Sequence, residues 1–543
     1  MSTRPLSPND GGGIAPLRRR WRRRSAAATL LLAACGESVD HGASTKDAVT
    51  YKDGFTVVEA ADATPARGGQ LTFAGLGEPR SLDPAVTIAA GTTGGVEMLN
   101  IYDSLTRYDV ATASFVPQLA ESVETADGGV TWTVELREGL RFTDGSPLDA
   151  AAVKRSQERY VATPGPEAGL WAANVEKVAA AGGTVTYTLR QPWMSFPSAL
   201  STGPGMIVAD SSGSGEEFKP VGAGPFLLDR WAPQEQLVLK ANPDYWAGAP
   251  ALESLRFVYM PHQQASLDSL ESGEVDMALV TDPEKVDPLI EAGAPAYVSM
   301  VGVGSMVLVN ASEGRAGADP RVRQAMAMAV APEAVSSRAY GGKALASTTM
   351  FPDYSRWHTA TAGPKSDPDR ARELVKEAKA DGFDGTLVYR SVNDPGARNS
   401  ALAAKASLEA VGFKVELDFA RDIGQLIGKV AVEKDYDLAK WGLNYRDADP
   451  FSKMYATLHS AGGQGFGMAT SPELDGLLLE LQGATADAQG VAVMDKIQQE
   501  INELVPFLNF GPFAEVITWN DDVHGITGSG STMVLFDKAW LRG

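Results

Sequence analysis

The stretch "PQLAESVETADGGVTWTVELREGLRFTDGSPLDAAAVKRS", residues 117 to 156, carries the periods of both regular secondary structures. Strict alternation in "TWTVEL" predicts a strand that places Trp132, Val134 and Leu136 on one face, towards a core. After a turn, "SPLDA" predicts the start of a helix with Asp149 as a capping residue. A strand, a turn and a helix therefore follow one another at this point of the chain.

Strands and helices are also predicted on both sides of this stretch. "QLTFA" (70–74) and "VTYTL" (185–189) are predicted strands, and "VEMLNIYDSLTRYD" (96–109) is a predicted helix. From residue 307 onwards helical and strand patterns alternate repeatedly, which predicts α/β lobes with mixed sheets. The last strands, in "PFLNFGPFAEVITW" (506–519), lie far along the chain from their partners, so we expect both chain ends to close one lobe.

Length and composition indicate a globular protein with more than one core. The chain has 543 residues, of which 44% are apolar and 21% charged. Single cores stop growing at about 250 to 300 residues, so we expect at least two lobes. The formal net charge is −20, and the first 34 residues contribute +6, which leaves −26 for the remainder. Such an acidic body repels nucleic acid, and we exclude nucleic-acid binding.

The N-terminus has the pattern of an export signal. A basic stretch from Arg18 to Arg24 precedes a short apolar run from Ala26 to Ala34, and the chain's only cysteine, Cys35, follows directly. The run is too short to span a bilayer, which needs about 20 apolar residues. "LAAC" (32–35) resembles the lipobox of bacterial lipoproteins, which implies that residues 1–34 are removed and Cys35 is lipidated. An ordinary cleavable signal beside a lone cysteine is the alternative, and Sec and twin-arginine export both stay open.

Signatures of enzymes are missing from the sequence. It contains no G-x-S-x-G elbow, H-E-x-x-H helix, phosphate loop or G-x-G-x-x-G fingerprint. The five histidines are scattered without metal-ligand spacing, and Asp447 and Asp449 are expected to be solvated or to cap a turn. We therefore expect no catalysis, no cofactor and no metal site. An exported hydrolase with an unrecognised site is the alternative from another class.

Several motifs together resemble family 5 of the bacterial solute-binding proteins, the peptide and nickel receptors of ABC importers. They are "GEPRSLDPA" (77–85), the opening stretch (117–156), "VGAGPFLLDRW" (221–231), "NPDYWAGAP" (242–250), "LESGEVDMAL" (270–279) and "DPRVRQAMAMAVAPEAV" (319–335). Ala223, Phe226 and Ala331-Pro332 depart from the family pattern. The rings of Tyr245 and Trp246 are expected to pack the lobe.

The resemblance implies an α/β fold of two lobes, the type II periplasmic-binding-protein or Venus-flytrap fold, with an extra subdomain inserted in the first lobe. The expected divisions are a signal peptide (1–34), a flexible tether (35–66), lobe 1 (67–95, 205–305 and 500–543), the inserted subdomain (96–204) and lobe 2 (306–499).

The resemblance also suggests a ligand site in "KWGLNYRDADPF" (440–451). Peptide-binding relatives have W-x-x-D-Y here, with the aspartate on the ligand's α-amino group. This chain has Asn444 at that place, which removes charge assistance, and Asp447 is the alternative source of charge. Trp441 and Tyr445 offer flat faces for the cleft wall. Further wall residues predicted from the resemblance are Thr92, Thr93 and Trp193.

The implied function is that of a monomeric, membrane-anchored receptor on the outer face of the cell membrane. It captures an oligopeptide or similar nitrogen-bearing solute between two lobes and delivers it to the transmembrane subunits of an ABC importer. A non-peptide solute, such as a nickel chelate, an oligosaccharide or an opine, is the alternative ligand.

Overall fold

The computed structural model describes residues 52–57, 65–163, 165, 168–260, 262–421 and 423–542. The predicted signal peptide, Cys35 and most of the predicted tether lie outside these residues. No helix in the described part of the chain is both long and apolar enough to cross a membrane.

The described chain contains both strands and helices, which alternate in some parts and follow their own kind in others. The strands are β1 (Gly54–Phe55), β2 (Gln70–Gly75), β3 (Thr106–Asp109), β4 (Ser114–Pro117), β5 (Ala120–Thr125), β6 (Thr131–Leu136), β7 (Val175–Ala181), β8 (Thr184–Leu189), β9 (Phe226–Ala232), β10 (Gln236–Ala241), β11 (Ser254–Tyr259), β12 (Met277–Val280), β13 (Ala296–Val309), β14 (Thr386–Val392), β15 (Lys414–Ala420), β16 (Leu438–Trp441), β17 (Phe507–Trp519), β18 (Val523–His524), β19 (Thr527–Gly528), β20 (Val534–Leu535) and β21 (Trp540–Leu541). The α-helices are α1 (Gly95–Tyr102), α2 (Ala150–Ala162), α3 (Ala168–Asn174), α4 (Phe196–Ala199), α5 (Gln263–Ser272), α6 (Pro283–Glu291), α7 (Pro320–Ala329), α8 (Pro332–Tyr340), α9 (Pro368–Ala380), α10 (Pro395–Ala410), α11 (Ile423–Ile427), α12 (Pro450–Leu458), α13 (Pro472–Gln482) and α14 (Ala488–Leu504). A π-helical turn, Gly428–Val432, follows α11.

One large mixed sheet organises the described chain. Its order is β15-β14-β16-β13-β17-β12-β2-β11-β10-β9, and β1 pairs with β13 in addition. We call the end from β12 to β9 the first lobe and the end from β15 to β16 the second lobe. The long strands β13 and β17 belong to both ends, because β16 pairs with Met306 to Val309 of β13 while β12 pairs with the far end of β17.

The pairing between β13 and β17 is interrupted midway between the lobes. The register shifts between Val301 and Ser305, where Val303 has a φ of 50°. On the opposite strand, Gly511 has a φ of 131°, and a Cβ there would lie 1.9 Å from the carbonyl oxygen of Leu345. Glycine is therefore required at residue 511, because the neighbouring backbone occupies the space of any side chain.

A separate four-stranded antiparallel sheet, β5-β6-β8-β7, lies within residues 120–189. The predicted alternation is confirmed, since Trp132, Val134 and Leu136 are all buried, and Asp149 caps α2 by accepting from the Ala152 N–H at 2.8 Å. The core of this sheet is continuous with residues from the helices α12 to α14. The proposed domain boundaries, including an inserted subdomain, stay predictions.

The helix predicted over 96–109 is wrong in its second half. The structure ends α1 at Tyr102, and Thr106 begins β3. Asp103 stops the helix with a φ of 57°, and its carboxylate is completely buried. Oδ2 of Asp103 accepts hydrogen bonds from Tyr245 Oη at 2.8 Å and Trp246 Nε1 at 3.0 Å. Of the two rings in the "NPDYW" motif, Tyr245 is buried and Trp246 packs against the core that contains the four-stranded sheet, and both bind a buried acid.

A second buried acid, Glu97, sits in the first turn of α1. Its carboxylate accepts the Gly94 N–H and the Tyr259 Oη, both at 3.1 Å. Burial, the largest cause, raises the pKa of Glu97 from 4.5 to about 7. The folded protein therefore keeps this proton at a pH where the unfolded chain has lost it, and rising pH between about 4.5 and 7 favours unfolding.

We expect Glu97→Gln to become relatively more stable than the wild type as pH rises. The amide carries no charge to bury, so the stability difference between the two proteins should move in the variant's favour by about 2 kcal/mol between pH 5 and pH 8. Urea unfolding at several pH values measures this difference. The exposed Glu138→Gln is the control, and an equal pH trend in both variants contradicts the prediction.

Candidate functional site

The segment predicted to bind the ligand, residues 440–451, leaves the second lobe at the interrupted part of β13. It follows β16, whose last residue, Trp441, pairs with Met306. Beyond it, Tyr445 and Gly302 exchange backbone hydrogen bonds, with N···O distances of 2.9 and 2.7 Å. Between these points Asn444 is exposed and has a φ of 58°. The segment is thus attached to the shared strand at two places.

The two aromatic residues of the segment have different surroundings. Trp441 is half-buried, with its ring 5.2 Å from that of Phe466. Tyr445 is completely buried, lies 3.1 Å from Thr457 Oγ1 through its hydroxyl, and stacks on Phe351 at 6.4 Å. Trp441 is therefore the more accessible of the two rings.

Asp447 is held by a loop of the second lobe. Its carboxylate accepts Ser355 Oγ at 2.7 Å and the Arg356 N–H at 3.1 Å, and burial raises its pKa. The Arg356 guanidinium donates to the carbonyl oxygen of Asp447 from Nη2 at 2.7 Å and to that of Ala113 from Nη1 at 2.9 Å. Because Ala113 lies between β3 and β4, this arginine joins the loop after β3 to the second lobe.

Arg446 is a charged residue that the sequence analysis did not select. Its guanidinium lies 2.6 Å from Glu515 on β17 and donates to Ser299 on β13 at 2.7 Å and to Thr532 at 3.0 Å. Arg446 and Glu515 are both largely buried, with 14% and 12% of their side chains exposed. The signal that could have found it is its place between Tyr445 and Asp447.

Charges from both lobes meet around Asp447. Tyr108 on β3 and Tyr354 in the loop before Ser355 both have raised pKa values, in each case mainly through burial. Asp447 and Asp53 add to the rise for both phenols. The two tyrosines are about 250 residues apart in sequence, so the same carboxylates act on distant parts of the chain.

The remaining predicted residues lie elsewhere. Thr92 is half-buried and Thr93 exposed in the turn before α1. Trp193 is completely buried, donates from Nε1 to Ser195 Oγ at 3.0 Å and lies 5.5 Å from the ring of Phe451. Asn444, Tyr445 and Asp447 are thus near one another because they are close in sequence, and Trp193 contacts Phe451 at the end of the same segment. All seven ligand contacts stay predictions.

One sheet continues from the first lobe to the second through the long strands β13 and β17, and charged groups lie where the lobes adjoin. This arrangement defines a two-lobe binding-protein fold. The sequence profile described as "Bacterial extracellular solute-binding proteins, family 5 Middle" matches residues 114–465. The chain belongs to this family.

Two glutathione-binding proteins are similar to this chain in sequence. The chain is 29% identical over 325 residues to the glutathione-binding protein GsiB of Escherichia coli K12 and 28% identical over 323 residues to that of Salmonella paratyphi A. In both cases the match spans 58% of this chain and 62% of the relative's length. The chain therefore aligns with less than two thirds of these proteins.

Solved structures share the fold. DppA from Helicobacter pylori in complex with the peptide STSA superposes with a TM-score of 0.75 at 22% identity, over 88% of this chain and 99% of that one. AppA from Bacillus subtilis in complex with a nonapeptide gives 0.74 at 20% identity, over 88% and 100%. The murein tripeptide binding protein MppA of Escherichia coli gives 0.76 at 18% identity, over 88% and 99%. The type II two-lobe fold expected from the sequence is confirmed.

Proposed function

We propose that the protein is the solute-binding component of an ABC importer and that it takes up an oligopeptide or a similar nitrogen-bearing solute between its lobes. The observation that carries this proposal is that Asp447, Arg446 and Arg356 lie close together beside β13 and β17, the strands that both lobes share. A ligand that touches both lobes favours the closed state by its differential affinity. Binding and release are the whole mechanism, and no bond of the solute is broken.

The charges suit a zwitterionic solute. Asp447 carries the negative charge that Asn444 lacks, and its carboxylate accepts the Ser355 hydroxyl and the Arg356 backbone N–H. An incoming ammonium group gives a stronger, charge-assisted contact than the hydroxyl of Ser355. Arg446 carries a positive charge that is already paired with Glu515, so a solute carboxylate has to compete with Glu515 for it.

The N-terminal pattern supports an anchored receptor. We infer that Cys35 becomes the lipidated N-terminus after removal of residues 1–34 and holds the protein at the outer face of the membrane. The transmembrane subunits of the importer are the partners, and they contact exposed surfaces of both lobes.

Ligand binding by the intact protein tests the proposed function. The probes are glutathione, dipeptides, a tetrapeptide library and a nonapeptide, with calorimetry for affinity and native mass spectrometry for the bound mass. Binding of an unchanged peptide supports the proposal. Binding of a nickel chelate, an opine or an oligosaccharide alone points to the non-peptide alternative, and cleavage of a probe points to an exported hydrolase.

Replacing Trp441 by alanine should raise the Kd for the bound peptide at least about tenfold, which corresponds to about 1.4 kcal/mol. The expected loss comes from the flat face that this half-buried ring offers to a solute. Trp231→Ala is the matched control, because Trp231 is also half-buried but lies on β9 at the edge of the first lobe. Equal affinities of folded Trp441→Ala and wild-type protein contradict this placement.

A further inference from the structure

Residues 52–57 pair with the edge of β13 that faces away from β17. Gly54 and Phe55 form β1, antiparallel to β13. The Thr56 N–H donates to the Ala296 carbonyl at 2.9 Å, and the Ala296 N–H donates to Thr56 Oγ1 at 2.8 Å. The Met300 N–H donates to the Asp53 carboxylate. The segment therefore supplies partners to backbone groups over the first part of this edge.

The segment lies between the lobes, beside the candidate site. The pKa of Asp53 is raised to about 6, mainly by burial; Asp447 contributes to this rise and Arg446 opposes it, so both side chains act on this carboxylate. On the other side, a Cβ at Gly54 would lie 3.3 Å from Cγ1 of Val110, which packs on the first-lobe core. An extended piece of the chain's own backbone thus occupies space that a solute between the lobes has to reach.

Several side chains of the segment are only partly covered. The Phe55 ring lies 5.0 Å from Tyr297 and 6.1 Å from Trp519, yet 39% of the residue is exposed, and so is 43% of Val57. Burial opposes the charge of the half-buried Asp53, and Asp447, a like charge, adds to this, while Arg446 and Arg356 offset part of it. A two-residue strand adds little stability by itself. These contacts are weak enough for a peptide to replace.

We propose that residues 52–57 are an intramolecular competitor for the cleft, which leaves the edge of β13 when a peptide in extended conformation binds there. This inference rests on the proposed function. If the segment occupies the edge in most molecules, the apparent affinity for peptide equals the intrinsic affinity multiplied by the fraction of molecules in which the edge is free. Substitutions that weaken the pairing of the segment with β13 should then lower the Kd for peptide, although they change no residue of the cleft wall.

Substitutions in the segment test this competition in the full-length protein. Gly54 has a φ of 123°, which an alanine rarely adopts, so Gly54→Ala should release the segment, and Phe55→Ala should do so through the loss of its ring contacts. The probe is the tetrapeptide that the full-length protein selects from the library. We expect both variants to lower its Kd at least about fivefold, as for an edge that is free in a fifth or less of wild-type molecules. The exposed Lys52→Ala is the control and should leave the Kd unchanged.

Hydrogen exchange gives a readout independent of the substitutions. The Thr56 amide, bonded to Ala296 in the free protein, should exchange at least about fivefold faster when the wild type is saturated with the tetrapeptide, because its protection is limited by the same free fraction of the edge. Equal Kd values in all four proteins, or unchanged protection of Thr56 with peptide bound, overturn the competition and leave the proposed function standing. If no protein of the set binds any peptide, the proposed function and this inference fall together.

Discussion

Gly511→Ala should be the most destabilising of the substitutions considered, with an expected loss of about 3 to 5 kcal/mol in the free energy of unfolding. The new Cβ would lie 1.9 Å from the carbonyl oxygen of Leu345 and 3.0 Å from the Ser347 nitrogen. Both are backbone atoms, so no side-chain rotation relieves the contact. The φ of 131° adds strain that only glycine avoids. Urea unfolding followed by tryptophan fluorescence measures the loss.

Gly476→Ala is the matched control for this prediction. A Cβ at residue 476 meets nothing within 4 Å, and the residue lies inside α13. Alanine favours a helix interior over glycine by about 1 kcal/mol, so the control should be unchanged or slightly more stable. Similar unfolding midpoints for the two variants would show that the β17 backbone at residue 511 tolerates a side chain.

Asp103→Ala should cost about 3 kcal/mol at pH 7. The substitution removes the acceptor of Tyr245 Oη and Trp246 Nε1 while both rings stay packed against the site. Burial raises the pKa of Asp103 to about 6, so the native carboxylate is itself costly to bury in its charged form, which keeps the loss moderate. Chemical unfolding measures the difference.

Two further variants separate the hydrogen bonds of Asp103 from its charge. Asp103→Asn keeps one acceptor oxygen without the charge, so it should recover a large part of the stability lost in Asp103→Ala. Asp229→Ala, at an exposed position, should change the stability by less than about 0.5 kcal/mol. A loss in Asp103→Asn as large as in Asp103→Ala would show that the ionised group itself is required.

Elements with a clear local period could be predicted from the sequence. The strand with Trp132, Val134 and Leu136 has the predicted bounds and buried face, and the following helix starts after Asp149 as predicted. The strand β13 was not predicted, because it is buried almost throughout and its apolar, glycine-containing run shows no alternation. The helix predicted over 96–109 ends early because Asp103, inside an otherwise helical pattern, binds side chains more than a hundred residues away.

The candidate site could be predicted only where it is continuous in sequence. Trp441, Asn444, Tyr445 and Asp447 belong to one segment, and the family pattern pointed to it. Arg446 was missed because its partners on β13 and β17 are distant in sequence. The pairing of residues 52–57 with β13 joins positions about 240 residues apart, and no local pattern in a polar N-terminal stretch indicates such a partner.

The interruption near Val303 and Gly511 has a mechanical consequence. On either side of it the ladder between the two long strands is regular, and each regular part is tied into the sheet of one lobe. Bending at the interruption changes a few torsion angles without breaking regular pairs, whereas bending anywhere else breaks them. We therefore expect the two lobes to rotate as rigid bodies about a hinge at this interruption. The 440–451 segment is hydrogen-bonded to Gly302 beside the hinge and should move least, while the parts of each lobe farthest from the hinge should move most.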